Sequence, residues 1–287
     1  MTTAAIATSR TNAGTSHTVQ YARAFMGLFL RDLFVLRREL LPFVIRVCMN
    51  PLLFLFVFTV IMPHMSSGAA MNPTASMTSA GINFSTVLLP GLMAVAIMFS
   101  GIAAVALPLS QEFGITREID DRVMCPLPVA AVAIEKICFS ALQSMIAAAI
   151  VFPMAYYIPS TPVVAHVSSW PFLILVLILA SLTAGALGLT IGTSVKPQQI
   201  GLIFGVVVMP ITFLGCVYYP WAALSNMRWL QIAVLLNPIV YMSEGLRSAL
   251  TSGLPHMPQA LTVSMLLFFL VLLTWLGIRG FLRRVIG

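Results

Sequence analysis

Charge spacing constrains this chain more than any other feature. Residues 47–111 contain no Asp, Glu, Lys or Arg, and neither do residues 137–195, 197–227 or 248–278. A water-soluble fold cannot keep such stretches out of solvent. Only 8% of the residues are charged and 60% are hydrophobic, whereas soluble domains carry about 25% charge. The mean hydropathy of +1.01 belongs to a chain dissolved mostly in lipid. These properties exclude a globular enzyme, a disulfide scaffold and a disordered chain. The fold class expected is an all-α polytopic membrane protein, whose helices satisfy their own backbone groups in lipid.

Residues 1–18 are rich in Thr, Ala and Ser, lack the apolar run of a signal peptide and read as a disordered tail. Residues 19–41 differ. At about 100° per residue, Phe25, Met26, Phe29, Leu33, Leu36 and Leu40 share one side, with Arg23, Arg31 and Arg38 opposite. That pattern predicts an amphipathic helix at the headgroup level. A first spanning helix is disfavoured by the charges that would interrupt it.

Six spans are expected near 43–62, 86–109, 134–158, 170–195, 200–218 and 260–278, each close to the roughly 20 apolar residues that cross a bilayer. Residues 219–255 are broken by Pro220, Asn226, Pro238 and Pro255 and fit a re-entrant external hairpin. The competing count is seven spans. Six spans put Arg10, Arg23, Arg31, Arg37, Arg38, Arg117, Arg122, Lys136, Lys196, Arg279, Arg283 and Arg284 inside, with Arg228 and Arg247 outside. Arg46 stands just within the first span and can snorkel inward. Seven spans would move the terminal Arg cluster to the wrong side. The expectation is a multi-pass plasma-membrane protein with both termini cytoplasmic.

The basic excess, 15 Lys and Arg against 8 Asp and Glu, flanks the apolar segments and does not point to nucleic acid. Cys48, Cys125, Cys138 and Cys216 have no CxxC spacing and read as apolar filler. The four His are scattered, without metal-ligand spacing. No GxxxxGK[ST] phosphate loop, dinucleotide fingerprint or nucleophile–base constellation is present. Channels and ion-coupled carriers keep ionisable groups at membrane depth; here Arg46, Glu135 and Lys136 are the charges within the expected spans, all near a span edge. The energy that drives the chain should therefore come from another subunit.

The loop 110–136 holds five of the chain's 8 acidic residues: Glu112, Glu118, Asp120, Asp121 and Glu135. Dense charge of both signs in a short loop suits protein docking, with an unengaged solvated loop as the alternative. Its sequence, QEFGITREIDDRVMCPLPVAAVAIEK (Gln111 to Lys136), resembles the E-x-x-G-T-x-E-x-L-x-x-[SA]-P-[LM]-[PS] pattern of ABC type-2 exporter permeases. Glu112, Gly114, Thr116, Glu118, Pro126, Leu127, Pro128 and Lys136 stand near the family's places, with Ile115 inserted between Gly114 and Thr116. The stretch from Pro210 to Leu250 is similar to the family's P-x-x-x-x-[SG]-G-x-x-[YF]-P … N-P-[IL]-x-Y-x-x-x-x-x-R signature. It is the more diagnostic of the two.

The resemblance implies two paired permease subunits, in a homodimer or heterodimer. Each would seat one copy of a separate ATPase that binds the ATP and Mg. This chain would have no cofactor and no catalytic residue of its own. Glu112, Phe113, Gly114, Thr116, Arg117, Glu118, Asp120, Asp121, Arg122, Pro126 and Pro128 would form the coupling element. Arg31, Arg37 and Arg38 would meet the ATPase or anionic lipid headgroups. The first and fifth spans would face each other across the dimer, making Phe54, Phe58, Met209 and Phe213 candidate pathway residues. Ordinary packing is the alternative for each.

Other features stand on spacing alone. Gly188–Gly192 and Gly201–Gly205 are GxxxG pairs that allow close helix approach, in a dimer or by chance. Tyr218, Tyr219, Trp221, Trp229 and Tyr241 fit an interfacial aromatic belt or a stacking gate. Glu244 and Arg247, at i and i+3, could pair and fix the hairpin as an outer gate. A pathway without fixed charge suits an amphiphilic drug, natural product or lipid-linked cargo. A polysaccharide or polyol-phosphate export permease is the second reading, and a membrane enzyme or scaffold working without ATP the third.

Overall fold

The computed structural model describes residues 17–57, 84–116, 128–158, 166–251 and 256–286. Among the described residues every regular element is helical. Helix α1 (His17–Arg38) ends in a one-residue break at Glu39, and α2 (Leu40–Leu55) follows. Helix α3 (Phe84–Gln111) runs on into a π-helical turn, Glu112–Thr116. Then come α4 (Val129–Tyr157) and α5 (Trp170–Ser194). The stretch α6 (Pro197–Phe213) is not one regular helix. It joins a 3-10 turn, a single α turn, a π segment Phe204–Val208 and a last α turn that carries Pro210 at its start. Short helices α7 (Arg228–Ala233) and α8 (Pro238–Leu250) precede the long α9 (Gln259–Ile286).

Four helices are long and apolar enough to cross a membrane, within Thr86–Gly114, Val129–Met154, Trp170–Ser194 and Gln259–Val285. They occupy four of the six expected positions. The other two hold the shorter helices Leu40–Leu55 and Pro197–Phe213. The expected tail 1–18 lies almost wholly outside the described residues, as does the loop after the first expected span.

The four long helices share the core unequally. The apolar stretch of α3 is 78% buried and that of α9 only 17%, so α3 is a central post and α9 an outer wall. Glycines permit the tight contact of α3 with α5. A methyl at Gly188 would meet the Ile102 backbone at 2.9 Å, and one at Gly101 would meet the Ala184 methyl at 2.6 Å. The Gly188–Gly192 pair is therefore spent on packing inside the chain. Gly201 and Gly205 face open space: a methyl on either would have nothing within 4 Å.

Helix α1 turns Phe25, Phe29, Leu33 and Leu36 inward, while Arg23, Arg31, Arg37 and Arg38 stay exposed. The Phe29 ring meets Phe139 of α4 edge-on at 6.1 Å. Two expected members of the apolar face, Met26 and Leu40, are exposed instead. Phe25 and Leu28 of α1 and Phe281 and Val285 of α9 belong to one apolar cluster, so both helices meet at the same end of the bundle. The break at Glu39 is what separates this face from the axis of α2.

Candidate functional site

The two ends of the bundle each bury an ion pair, and the expected site residues divide between them. At the α1 end, the π turn that extends α3 carries Glu112, which is 5% exposed. Lys136 on α4 donates to its Oε1 at 2.9 Å. Lys136 is equally buried, and its neighbour Glu135 fully so. The reason is local: Pro128 starts α4 about a turn and a half before the expected span, drawing Glu135 and Lys136 into a packed helix. The sequence pattern directs Glu112 to a partner and leaves Lys136 flanking a span in solvent. In the fold both turn inward, where they bolt α3 to α4.

Neighbouring groups tighten that end. The Phe113 ring lies against Phe281 at 6.0 Å, and the Arg284 guanidinium sits 4.8 Å above its face. Arg284 also donates to the carbonyls of Gly192 and Val195, each at 2.9 Å, closing the last turn of α5. A methyl at Gly114 would touch Pro197 at 2.8 Å, so the π turn abuts the start of α6. The side chain of Thr116, and the whole of Arg117, Glu118, Asp120, Asp121, Arg122 and Pro126, lie outside the described residues. Pro128 is exposed at the head of α4.

At the other end, Glu244 and Arg247 of α8 are both essentially inaccessible and pair with each other. The Glu244 carboxylate accepts from the backbone of Trp221 at 2.9 Å through Oε1 and of Met257 at 3.1 Å through Oε2. Arg247 donates to the carbonyl of Cys216 at 3.1 Å. Cys216 itself sits at φ 51°, a left-handed conformation unusual for a residue with a Cβ. One helical turn thus holds three separate chain segments. Asn237 caps the same helix, accepting from the Ile239 backbone at 3.1 Å. The expected pairing is present and is fully buried.

The candidate pathway residues Phe54, Phe213 and Tyr218 come together. Phe54 lies 6.2 Å from Phe213 and 5.3 Å from Tyr218, and Phe213 lies 6.0 Å from Tyr218. Met209 and Phe213 are about half exposed on α6. Phe58 lies outside the described residues. Trp221 is half-buried, and its ring nitrogen donates to the Gln231 carbonyl at 3.2 Å. The aromatic belt is not uniform. Trp229 is 72% exposed, whereas Tyr241 is buried, donates to the Leu235 carbonyl at 3.0 Å and stacks near Phe269. Tyr241 is a core residue. Tyr219 is half-buried beside the aromatic triad.

The sequence profile of the family described as ABC-2 type transporter matches residues 23–251. This chain belongs to that family. It is a multi-pass membrane permease, and the matched region runs from α1 through α8, taking in both buried pairs. No curated protein matches the chain significantly. Among the described residues no group of three or more His, Cys, Asp or Glu is placed to hold a metal ion.

Two features of this permease escape sequence reasoning. One is the Glu112–Lys136 bolt between residues 24 apart. The other is a chamber of about 520 Å3 between α1, α2, α3 and α4, lined by Arg31, Glu39, Arg46, Glu112, Lys136 and Gln143 among others. Pro128, followed by a helix-forming run through Lys136, is the available signal for the first. The second needs tertiary packing.

Proposed function

We propose that the chain is the transmembrane subunit of an ATP-driven exporter. It works with a second permease subunit and with two copies of a separate ATPase that binds ATP and Mg. Its cargo is an amphiphile leaving the cytoplasm or the inner leaflet. The chain crosses the plasma membrane six times, with α2 and α6 as the first and fifth spans and residues 219–255 as an external re-entrant hairpin. Both termini are cytoplasmic, a reading supported by α1 and the end of α9 sharing one cluster.

The observation that carries this reading is the joint at the foot of α3. The helix passes without interruption into the turn Glu112–Thr116, and that turn is tied to α4 by a buried ion pair and to α9 by ring contacts. A push on the charged segment 117–127 would therefore reach three helices together. Packed elements of this kind switch between discrete arrangements and do not bend continuously. Glu118, Asp120, Asp121 and Arg122 make the contact with the ATPase, and Glu112 braces it from behind. Arg31, Arg37 and Arg38 border the same surface.

Charge reversal at Glu118, Asp120 and Asp121 together tests the contact, because like charges across an interface cost several kcal/mol. ATP hydrolysis should lose its dependence on the permease while the permease remains folded. Unchanged coupling would contradict the assignment.

A further inference from the structure

The chamber at the α1 end does not stop at its own walls. Arg46 and Ala103 line both it and a second cavity of about 290 Å3 between α2, α3 and α6. The first is bordered by charged side chains; the second is walled by Val47, Val95, Phe99 and Phe204. Polar space passes into apolar space at one cation. Among the described residues Arg46 makes no hydrogen bond or ion pair, and it shares the chamber wall with Arg31, Asp32, Glu39, Glu112 and Lys136.

Two further groups are left wanting along this path. The Gln143 side-chain oxygen at the chamber and the Ser100 hydroxyl at the apolar cavity are shielded from water and have no hydrogen-bond partner in the chain. Both residues are more than nine-tenths buried. Buried polar groups are ordinarily partnered. The Gln143 oxygen only accepts, so its missing partner is a donor such as a hydroxyl on an occupant's head; an apolar tail supplies none to Ser100. The chamber falls within the roughly 300–1,000 Å3 of small-molecule pockets.

We propose that each subunit binds one anionic membrane amphiphile here, its head in the chamber against Arg46 and its tail in the cavity between α2, α3 and α6. An ionised head would gain a charge-assisted hydrogen bond from the guanidinium. A tail would cover apolar wall that Gly201 leaves open. The exporter reading bears only on where the occupant goes next; occupancy itself needs no ATP and no second protein.

The test exchanges the full chain into detergent containing phosphatidylglycerol or phosphatidylcholine at equal mole fraction and counts retained lipid by native mass spectrometry. Phosphatidylglycerol should be held about tenfold better, the worth of one hydrogen bond to a charged group. Arg46→Ala should erase that preference, and Arg46→Lys should keep part of it. Gly201→Leu, which meets no atom within 4 Å at its first carbon, should lower retention of both lipids with the fold intact. Glycerol phosphate, the head without the tail, should not displace the lipid at equal concentration. Equal retention of the two lipids by the unaltered chain would overturn the proposal. So would a preference that survives Arg46→Ala, or displacement by glycerol phosphate as effective as by lipid.

Discussion

The buried ion pairs at the two ends of the bundle are built in opposite ways. Glu244 and Arg247 lie one turn apart on a single helix, and both also bond to backbone, Glu244 to Trp221 and Met257 and Arg247 to Cys216. Glu112 and Lys136 lie on two helices and border an open chamber. The first pair is a keystone: it cannot separate, and its work is to hold irregular chain against a helix. The second is a bolt between two bodies, able to change as they move. The first suits a fixed frame and the second a joint between two helices.

Breaking the Glu244–Arg247 pair should have the largest effect. Arg247→Met strands a buried carboxylate, which costs roughly 3–5 kcal/mol. Thermal unfolding in detergent should show it as the least stable variant of the series. A midpoint equal to that of the unaltered chain would remove the keystone.

Gly91→Ala should come next. Its methyl would collide with the Val217 carbonyl oxygen, so the Val217 backbone must move away from α3, at about 1–3 kcal/mol. Gly205→Ala meets nothing within 4 Å and serves as the silent control in the same melt.

The Glu112–Lys136 pair should be softer. Lys136→Met removes the buried ion-pair partner of Glu112, at about 1–3 kcal/mol. Adding Glu112→Gln should recover part of that loss, and the four-protein cycle isolates the coupling between the two side chains. ATP-coupled activity should fall further than stability does. Equal losses in the two readouts would make the bolt a second keystone. At the small end, Arg37→Gln with Arg38→Gln removes two exposed charges and should shift stability by no more than about 0.5 kcal/mol.

Much of the frame is legible in the sequence. Charge-free stretches locate the long helices because a charge at membrane depth is expensive. Spacing alone pairs Glu244 with Arg247, since i and i+3 share a helix face. Phe54, Phe213 and Tyr218 each stand out in the sequence, but their meeting in one cluster depends on how α2 and α6 lean together. The contact between Glu112 and Lys136 is not legible in the sequence for a physical reason. Charges beside an apolar run are assigned to water, and nothing local reports that an opposite charge 24 residues away will bury them. The chamber and its Arg46 doorway are equally hidden, because a cavity belongs to no single segment.

The central claim is that this permease draws its work from another subunit through the turn after α3. The most direct measurement extracts the chain gently from its own membrane, identifies what accompanies it and assays the complex for ATP hydrolysis. An equal number of ATP-hydrolysing subunits, released by charge reversal at Glu118, Asp120 and Asp121, is the predicted result. Uphill movement of a solute by the chain alone in liposomes, with neither ATP nor any added protein, would contradict it.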